Sequence, residues 1–301
     1  MSSWPRFFIW DQNPLQIGNE YCLSAADSHH AFKVLRLQKD HRVEISDGKG
    51  NSFQALITSA KKDAVVVYLE DNLSRCNEPF AEINLIQGLL KGGKMDTVIH
   101  QAVELGVARI YPLLTARSVP DLPQNKVDAK IGRWQKIARE SAALSKRSVI
   151  PKVEYPLSLA QLTANLHPEG ELAFVFWEGV KDNKIYFGED NADLQPKTGH
   201  PAQPPQHTPQ DSPSRPSQIA SHLSEQSAPR SPSQSTPHPT SSSRPPITVI
   251  VGPEGGFSAE EVQYLEQHKV RPAGLGPRIL RAETAAVVAL TLIQSRLGDL
   301  H

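Results

Sequence analysis

Residues 249–257 read VIVGPEGGF, and residues 274–294 read GLGPRILRAETAAVVALTLIQ. Each stretch carries a glycine-rich turn where a strand is expected to end, and the second turn opens directly into a long apolar segment. Glycines at the ends of strands let backbone N–H and C=O groups approach a ligand without a Cβ in the way. Two such turns close together in one chain are therefore expected to be walls of one pocket.

Working outward, strands alternate with helices from Glu82 onward. EINLIQGL (82–89) is an apolar strand, and KMDTVIHQAVELGV (94–107) has helical spacing with Gly106 as its stop. RIYPLLT (109–115) is again a strand, DAKIGRWQKIARESAALSKR (128–147) a helix with polar and basic faces, and ELAFVFWEG (171–179) and ITVIVG (247–252) are strands. Such alternation predicts an α/β domain with a largely parallel sheet.

The N-terminal part reads differently. HRVEISDG, SFQALITSA and AVVVYLE alternate apolar and polar residues and are separated by DGKGN and KKD turns, which predicts a small β-barrel. A helix is expected ahead of them, from Ala25 to about Leu35. The expected division is therefore a barrel over residues 1–75 and an α/β domain over residues 76–301.

That second domain is interrupted at about residues 188–246. Between Pro196 and Pro246 lie 13 of the 25 prolines and 12 serines, and no Phe, Trp or Tyr occurs between Phe187 and Phe257. A segment so poor in apolar surface cannot offset its ordering entropy, so it is read as a disordered insertion. Lengthening a loop costs only logarithmically more, which makes such an insertion tolerable.

Composition excludes several classes. With 301 residues, 39% hydrophobic and 21% charged, the chain supports two domains with cores of their own. Cys22 and Cys76 are the only cysteines, too few for a disulfide framework or a clustered zinc site, which predicts a reducing, cytoplasmic setting and no metal. No apolar run approaches a membrane span, and the N-terminus lacks a basic segment followed by an apolar one. Formal net charge is zero, yet Lys91 to Lys152 holds 12 Lys/Arg against 5 Asp/Glu. That excess fits either a solvated helix surface or a face for nucleic acid.

In the first turn, Ser258 stands where a helix N-cap belongs, with Glu260 and Glu261 following. Carboxylates at a helix start argue against a phosphate site, and neither nucleotide-binding glycine motif is present. In the second turn Arg278, Arg281 and Glu283 surround an apolar pair and open a helix at about Glu283. Read alone, the first turn also fits a tight strand-to-helix connection, and the second also fits an Arg–Glu structural pair.

Taken in order and spacing, LLKGGKMDTVIHQAVELGVARIYPLLTARSV (89–119), RWQKIARESAALSKRSVIP (133–151), VGPEGGFSAEEV (251–262) and LGPRILRAETAAVVAL (275–290) resemble the RsmE-type 16S ribosomal RNA (uracil-N3)-methyltransferases of bacteria. HHAFKVLRLQKDHRVEISDGKG (29–50) resembles the PUA-like RNA-binding barrel of that family. The resemblance spans nearly the whole chain outside residues 188–246. One departure is Leu144, which stands where the family pattern carries Gln, while Ser145 and Arg147 are kept.

The resemblance implies a SPOUT-type domain with a C-terminal trefoil knot, an exception to the rule that chains avoid knots. It further implies S-adenosylmethionine as cofactor, a homodimer, and 16S rRNA or the small ribosomal subunit as partner. Carried onto this chain, the cofactor would lie among Phe176, Trp177 and Glu178, then Gly252, Pro253, Glu254, Gly255 and Gly256, then Leu275, Gly276, Arg278, Ile279, Leu280 and Thr284. Arg281 is expected to stabilise charge on the uracil oxygens, with Glu283 orienting it or accepting the N3 proton. RNA contacts are expected from His30 and Arg36 on the barrel and from Lys91, Lys94, Arg117, Arg139 and Arg147 on the second domain. Methyl transfer to another RNA position and a catalytically silent rRNA-binding assembly factor are the alternative readings.

Overall fold

The computed structural model describes residues 4–73, 77–118, 124–166, 171–180 and 245–300. Almost all of the expected insertion, with the proteins's Pro/Ser-rich run, lies outside these described residues.

The alternating N-terminal runs form the expected strands. β1 (Arg6–Phe8), β2 (Glu20–Cys22), β3 (Arg42–Ser46), β4 (Ser52–Lys61) and β5 (Ala64–Asn72) make one sheet in the order β1-β3-β4-β5-β2. β3, β4 and β5 are antiparallel neighbours, whereas β1 lies parallel to β3. Phe7 on β1 and Leu23 just after β2 share one buried cluster with Val43, Ile45, Ile57 and Val67. The sheet thus curls around a common core while its ladder stays open between β1 and β2. The helix expected over 25–35 is divided. α1 (Ala25–His29), capped by the Ser24 side chain, passes into a π-helical turn, His30–Val34. The wider turn sinks Ala31 fully into the core and delivers Arg36 in a left-handed conformation, φ 53°.

A second sheet begins with β6 (Ile83–Gly88). It continues through α2 (Lys94–Glu104), β7 (Arg109–Leu114), α3 (Gln124–Leu144), the short β8 (Lys152–Val153) and β9 (Leu157–Ser158), and α4 (Leu159–Asn165). β10 (Leu172–Phe176), β11 (Ile247–Val251), α5 (Ala259–Gln267), β12 (Arg271–Ala273) and α6 (Ala282–Leu297) complete it. The strand order is β12-β10-β11-β6-β7-β8, with β9 also on β7, and every pair is parallel. Such a sheet is covered on both faces, so its strands read as continuous apolar runs. Leu85, Phe174 and Val249 pack with residues of α2, α3 and α6, while Ile86, Val175 and Ile250 pack with residues of α4 and α5.

Residues 146–150 join the two sheets. Gly50 N–H and the Ser46 hydroxyl donate to Ser148 O (3.2 and 2.9 Å), and Ile150 N–H donates to Gly48 O at 3.2 Å. Positive φ values of 71° and 120° at Gly48 and Gly50 make the sharp tip that reaches this segment.

Two members of the expected RNA-contacting set make contacts between the sheets, and one of them, Arg147, is buried and is corrected here. Arg147 has a side chain only 3% exposed and donates to Glu78 Oε2 from Nε and Nη2 (3.0 and 2.6 Å). Its Nη1 donates to Val103 O and Val107 O. Arg139 donates to Asp27 Oδ2 (2.6 Å) and Phe8 O (3.2 Å), tying α3 to the first sheet. The Arg147 guanidinium, already surrounded by acceptors, has few N–H groups left for phosphate, whereas Arg139 donates through Nη2 alone and its side chain is 28% exposed. No helix among the described residues is long and apolar enough to cross a membrane.

Candidate functional site

β6, β11 and β10 lie side by side and end at Gly88, Val251 and Phe176, and both glycine-rich turns meet the sheet at these carboxyl ends. Ligands of open α/β sheets bind outside the carboxyl ends of strands, where connections diverge. Here the chain runs from β6 outward through β7 and β8, while β10, β11 and β12 fill the other side. A cavity of about 650 Å³ lies at that point, within the range of small-molecule sites.

The first turn is held from three sides. Gly256 N–H donates to Pro253 O at 2.9 Å with Gly256 at φ 66°. From below, the fully buried Gln87 donates through Nε2 to Gly252 O at 3.0 Å. From the β7 side, Arg117 Nη1 donates to Gly255 O and Phe257 O (3.1 and 3.3 Å). α5 starts behind the turn with a full capping box, in which Ser258 accepts from Glu261 N–H and the Glu261 carboxylate accepts from Ser258 N–H. Glu261 also accepts from Ala116 N–H at 2.8 Å, so this carboxylate closes the loop after β7 against the turn.

Glu254 anchors the turn to α2. Its Oε1 accepts from Lys91 N–H (3.0 Å) and from Lys94 Nζ (3.1 Å). Partial burial pushes its carboxyl upward, but the Lys91 and Glu254 N–H groups and the Lys94 ammonium outweigh this and hold it below the ordinary carboxylate value. A depressed folded value means that stability is present above the unfolded value and lost as pH falls through the folded one. Glu254→Gln is therefore expected to lose stability at neutral pH, and the gap from the unaltered protein, read from urea melts across pH, should close in acid.

The expected cofactor residues divide. Phe176, Glu178, Gly252, Pro253, Glu254, Gly255, Gly256, Ile279 and Leu280 line the cavity together with Arg281 and Glu283. Trp177, Leu275, Gly276, Arg278 and Thr284 do not. Trp177 turns towards Gly179 and packs on the α4/α5 side, while Leu275 packs on the opposite core. Lys94, expected at RNA, instead lines the cavity, as do Val251, Phe257, Ala282 and Ala285, which motif reading missed. Among the remaining expected RNA contacts, Arg117 serves the first turn, whereas His30, Arg36 and Lys91 are exposed.

Two glycines of the cavity wall leave no room for a side chain. A Cβ on Gly256 would stand 2.7 Å from Glu178 Oε1, and one on Gly255 would stand 3.0 Å from Arg117 Cβ. The expected Arg281–Glu283 pair is not formed. Arg281 is the exposed N-cap of α6, no ion pair joins it to Glu283 among the described residues, and Glu283 Oε2 is buried without a hydrogen-bond partner. No group of three or more potential metal ligands occurs among the described residues.

An RNA methyltransferase domain family matches residues 76–196 and 214–294, and an RNA methyltransferase PUA domain family matches residues 23–69. The chain is 28% identical over 295 residues to the ribosomal RNA small subunit methyltransferase E of Buchnera aphidicola, covering 98% of this chain and 94% of the relative. It is 27% identical over 289 residues to that of Bacillus subtilis, covering 96% and 95%. Among solved structures, a Legionella pneumophila protein in complex with the cofactor S-adenosylmethionine superposes with a TM-score of 0.71 at 26% identity, covering 98% of each chain. In fold, ribosomal RNA small subunit methyltransferase E from Neisseria gonorrhoeae, bound to S-adenosylmethionine, is similar with a TM-score of 0.73 at 23% identity over 97% of each chain.

Proposed function

Since the chain belongs to the RNA methyltransferase family and carries that family's PUA domain, we propose that it methylates N3 of a uridine in 16S rRNA of the small ribosomal subunit, using S-adenosylmethionine. The observation that carries this reading is the glycine-walled cavity at the carboxyl ends of β6, β10 and β11, where relatives named as small-subunit rRNA methyltransferases align along almost the whole chain.

Gly252, Gly255 and Gly256 would hold the donor through backbone contacts, with Phe176, Ile279 and Leu280 supplying apolar walls. When bound, S-adenosylmethionine supplies a methyl group on a sulfonium, which is reactive without further activation. What remains for the chain is to align the uracil and assist loss of its N3 proton. Arg281, exposed at the cavity rim, would stabilise negative charge developing on the uracil oxygens.

Residues 1–75 would form the RNA-binding barrel and residues 76–301 the catalytic domain, threaded as a trefoil knot at the C-terminal turns. A homodimer is supported by apolar residues that the fold leaves uncovered, Ile279 at the cavity at 87% and Leu292 on α6 at 39% exposure. Sedimentation at micromolar concentration is expected to give a dimer. A cytoplasmic location follows from an rRNA substrate.

Incubation with labelled S-adenosylmethionine and either unmethylated small subunits or naked 16S rRNA, followed by nucleoside analysis, is expected to yield 3-methyluridine. A different methylated nucleoside would refute the N3 assignment. Arg281→Ala is expected to lower turnover about a hundredfold at saturating RNA, with donor affinity little changed in a filter-binding assay; full turnover would remove Arg281 from the chemistry.

A further inference from the structure

Glu283 is a cavity-lining carboxylate with one oxygen, Oε2, shielded from water and without a donor. The three carboxylates of the lining, Glu178, Glu254 and Glu283, face only two cations, Lys94 and Arg281. Lys94 is already paired with Glu254 at 3.1 Å, and Arg281 is exposed at the start of α6 and makes no ion pair with Glu283. A partly desolvated carboxylate left in this state is unfavourable unless a positive charge reaches it. Glu283 opens onto the cavity that it lines.

Building on the proposed donor site, we propose that Glu283 is a specificity-determining residue that reads the positive charge of the methyl donor. S-adenosylmethionine carries an ammonium, a sulfonium and a carboxylate, for a net charge of +1. After transfer the sulfonium becomes a neutral thioether, and S-adenosylhomocysteine has a net charge of zero. A carboxylate that lacks any other cation favours the charged donor over the spent product, and so promotes product release. Because Glu283 lies two residues after Arg281 at a helix start, the two side chains leave the axis in different directions, which is why neither neutralises the other.

Isothermal titration of the purified full chain with S-adenosylmethionine, S-adenosylhomocysteine and sinefungin tests this, since sinefungin carries a protonated amine in place of the methylsulfonium. The unaltered protein is expected to bind the two cationic ligands about tenfold more tightly than S-adenosylhomocysteine. Glu283→Gln should weaken both by about tenfold while changing S-adenosylhomocysteine by less than about twofold, and Glu283→Asp should keep the preference. Without ligand, Glu283→Gln should melt no lower than the unaltered protein, because the oxygen has no partner to lose; a lower melting point would mark a structural role instead and overturn the inference. Equal weakening of all three ligands, or no preference in the unaltered protein, would overturn the inference while leaving the donor site standing. Failure of all three to bind the unaltered protein would overturn both.

Discussion

Arg147→Ala is expected to destabilise the protein by about 3–5 kcal/mol, the range for removing one partner of a buried ion pair. The Arg147 side chain is 3% exposed and that of Glu78 is 16% exposed, so water can replace little of what is lost. Truncation strips Glu78 Oε2 of two donors and leaves the Val103 and Val107 carbonyls, at 3.1 and 2.7 Å from Nη1, without their guanidinium. Glu78 Oε1 still accepts from Ser148 N–H (2.8 Å) and Val149 N–H (3.0 Å), so a carboxylate without its counter-ion stays fixed in the joint between the sheets. For a domain of this size the loss corresponds to a melting point lower by roughly 6–20 °C. Urea melts of Arg147→Ala, Glu78→Gln and the double variant would measure it. The double variant should be less damaged than the sum of the singles, because the uncompensated charge disappears with its partner. A loss under about 1 kcal/mol would place the pair among solvated surface bridges and remove it as the anchor of the joint.

Arg147 also shows where the sequence stops being informative. In the stretch AALSKR (142–147) a basic residue just past the end of a polar helix reads as surface, and charge counting from Lys91 to Lys152 treats every cation alike. Its partner is 69 positions away, a separation at which no local pattern signals a contact. The strands with local signatures were legible: alternation gave β3, β4 and β5, continuous apolar runs gave β6, β7, β10 and β11, and the Ser258 cap marked the start of α5. β1, β2, β8, β9 and β12 were not, since each is only two or three residues long and exists because a neighbouring strand pairs with it. The π-helical turn at His30–Val34 was likewise hidden, because the residues on both sides are ordinary helix formers and burial of Ala31 sets the wider turn.

The cavity was partly legible for the same reason. Glycine-rich turns announce close backbone approach, and most residues of the first turn line it. Of the second turn only the later part, from Ile279, lines the cavity, while Leu275 packs on the core. The charge of Lys94 is visible in the sequence, whereas the Glu254 carboxylate that holds it lies 160 positions on and is not visibly near.

Gly88→Ala is expected to weaken S-adenosylmethionine binding about a hundredfold, equivalent to about 3 kcal/mol. β6 and β11 are paired in register up to Gln87 and Val251, so the next residues, Gly88 and Gly252, are forced together where the strands end. A Cβ at Gly88 would stand 2.4 Å from Pro253 N, 2.5 Å from Pro253 Cδ and 2.7 Å from the Gly252 carbonyl carbon. None of these atoms belongs to a side chain that can swing away, so the turn itself must move. Displacing Gly252 breaks the hydrogen bond from Gln87 Nε2, and displacing Pro253 carries Glu254 away from Lys91 and Lys94. The glycine wall would shift as a unit, which affects the ligand more than the fold; overpacking of this kind costs the fold only about 1–3 kcal/mol. Gly93→Ala is the control, since a Cβ there meets nothing within 4 Å, and it should bind the donor within about twofold of the unaltered protein. Equilibrium dialysis with labelled donor, alongside a melt to confirm folding, separates the outcomes. Affinity retained by a folded Gly88→Ala variant would mean that the approach of β6 to the first turn is not what shapes the cavity; affinity lost with the fold intact would fix Gly88, silent in any local motif, as the residue on which the wall rests.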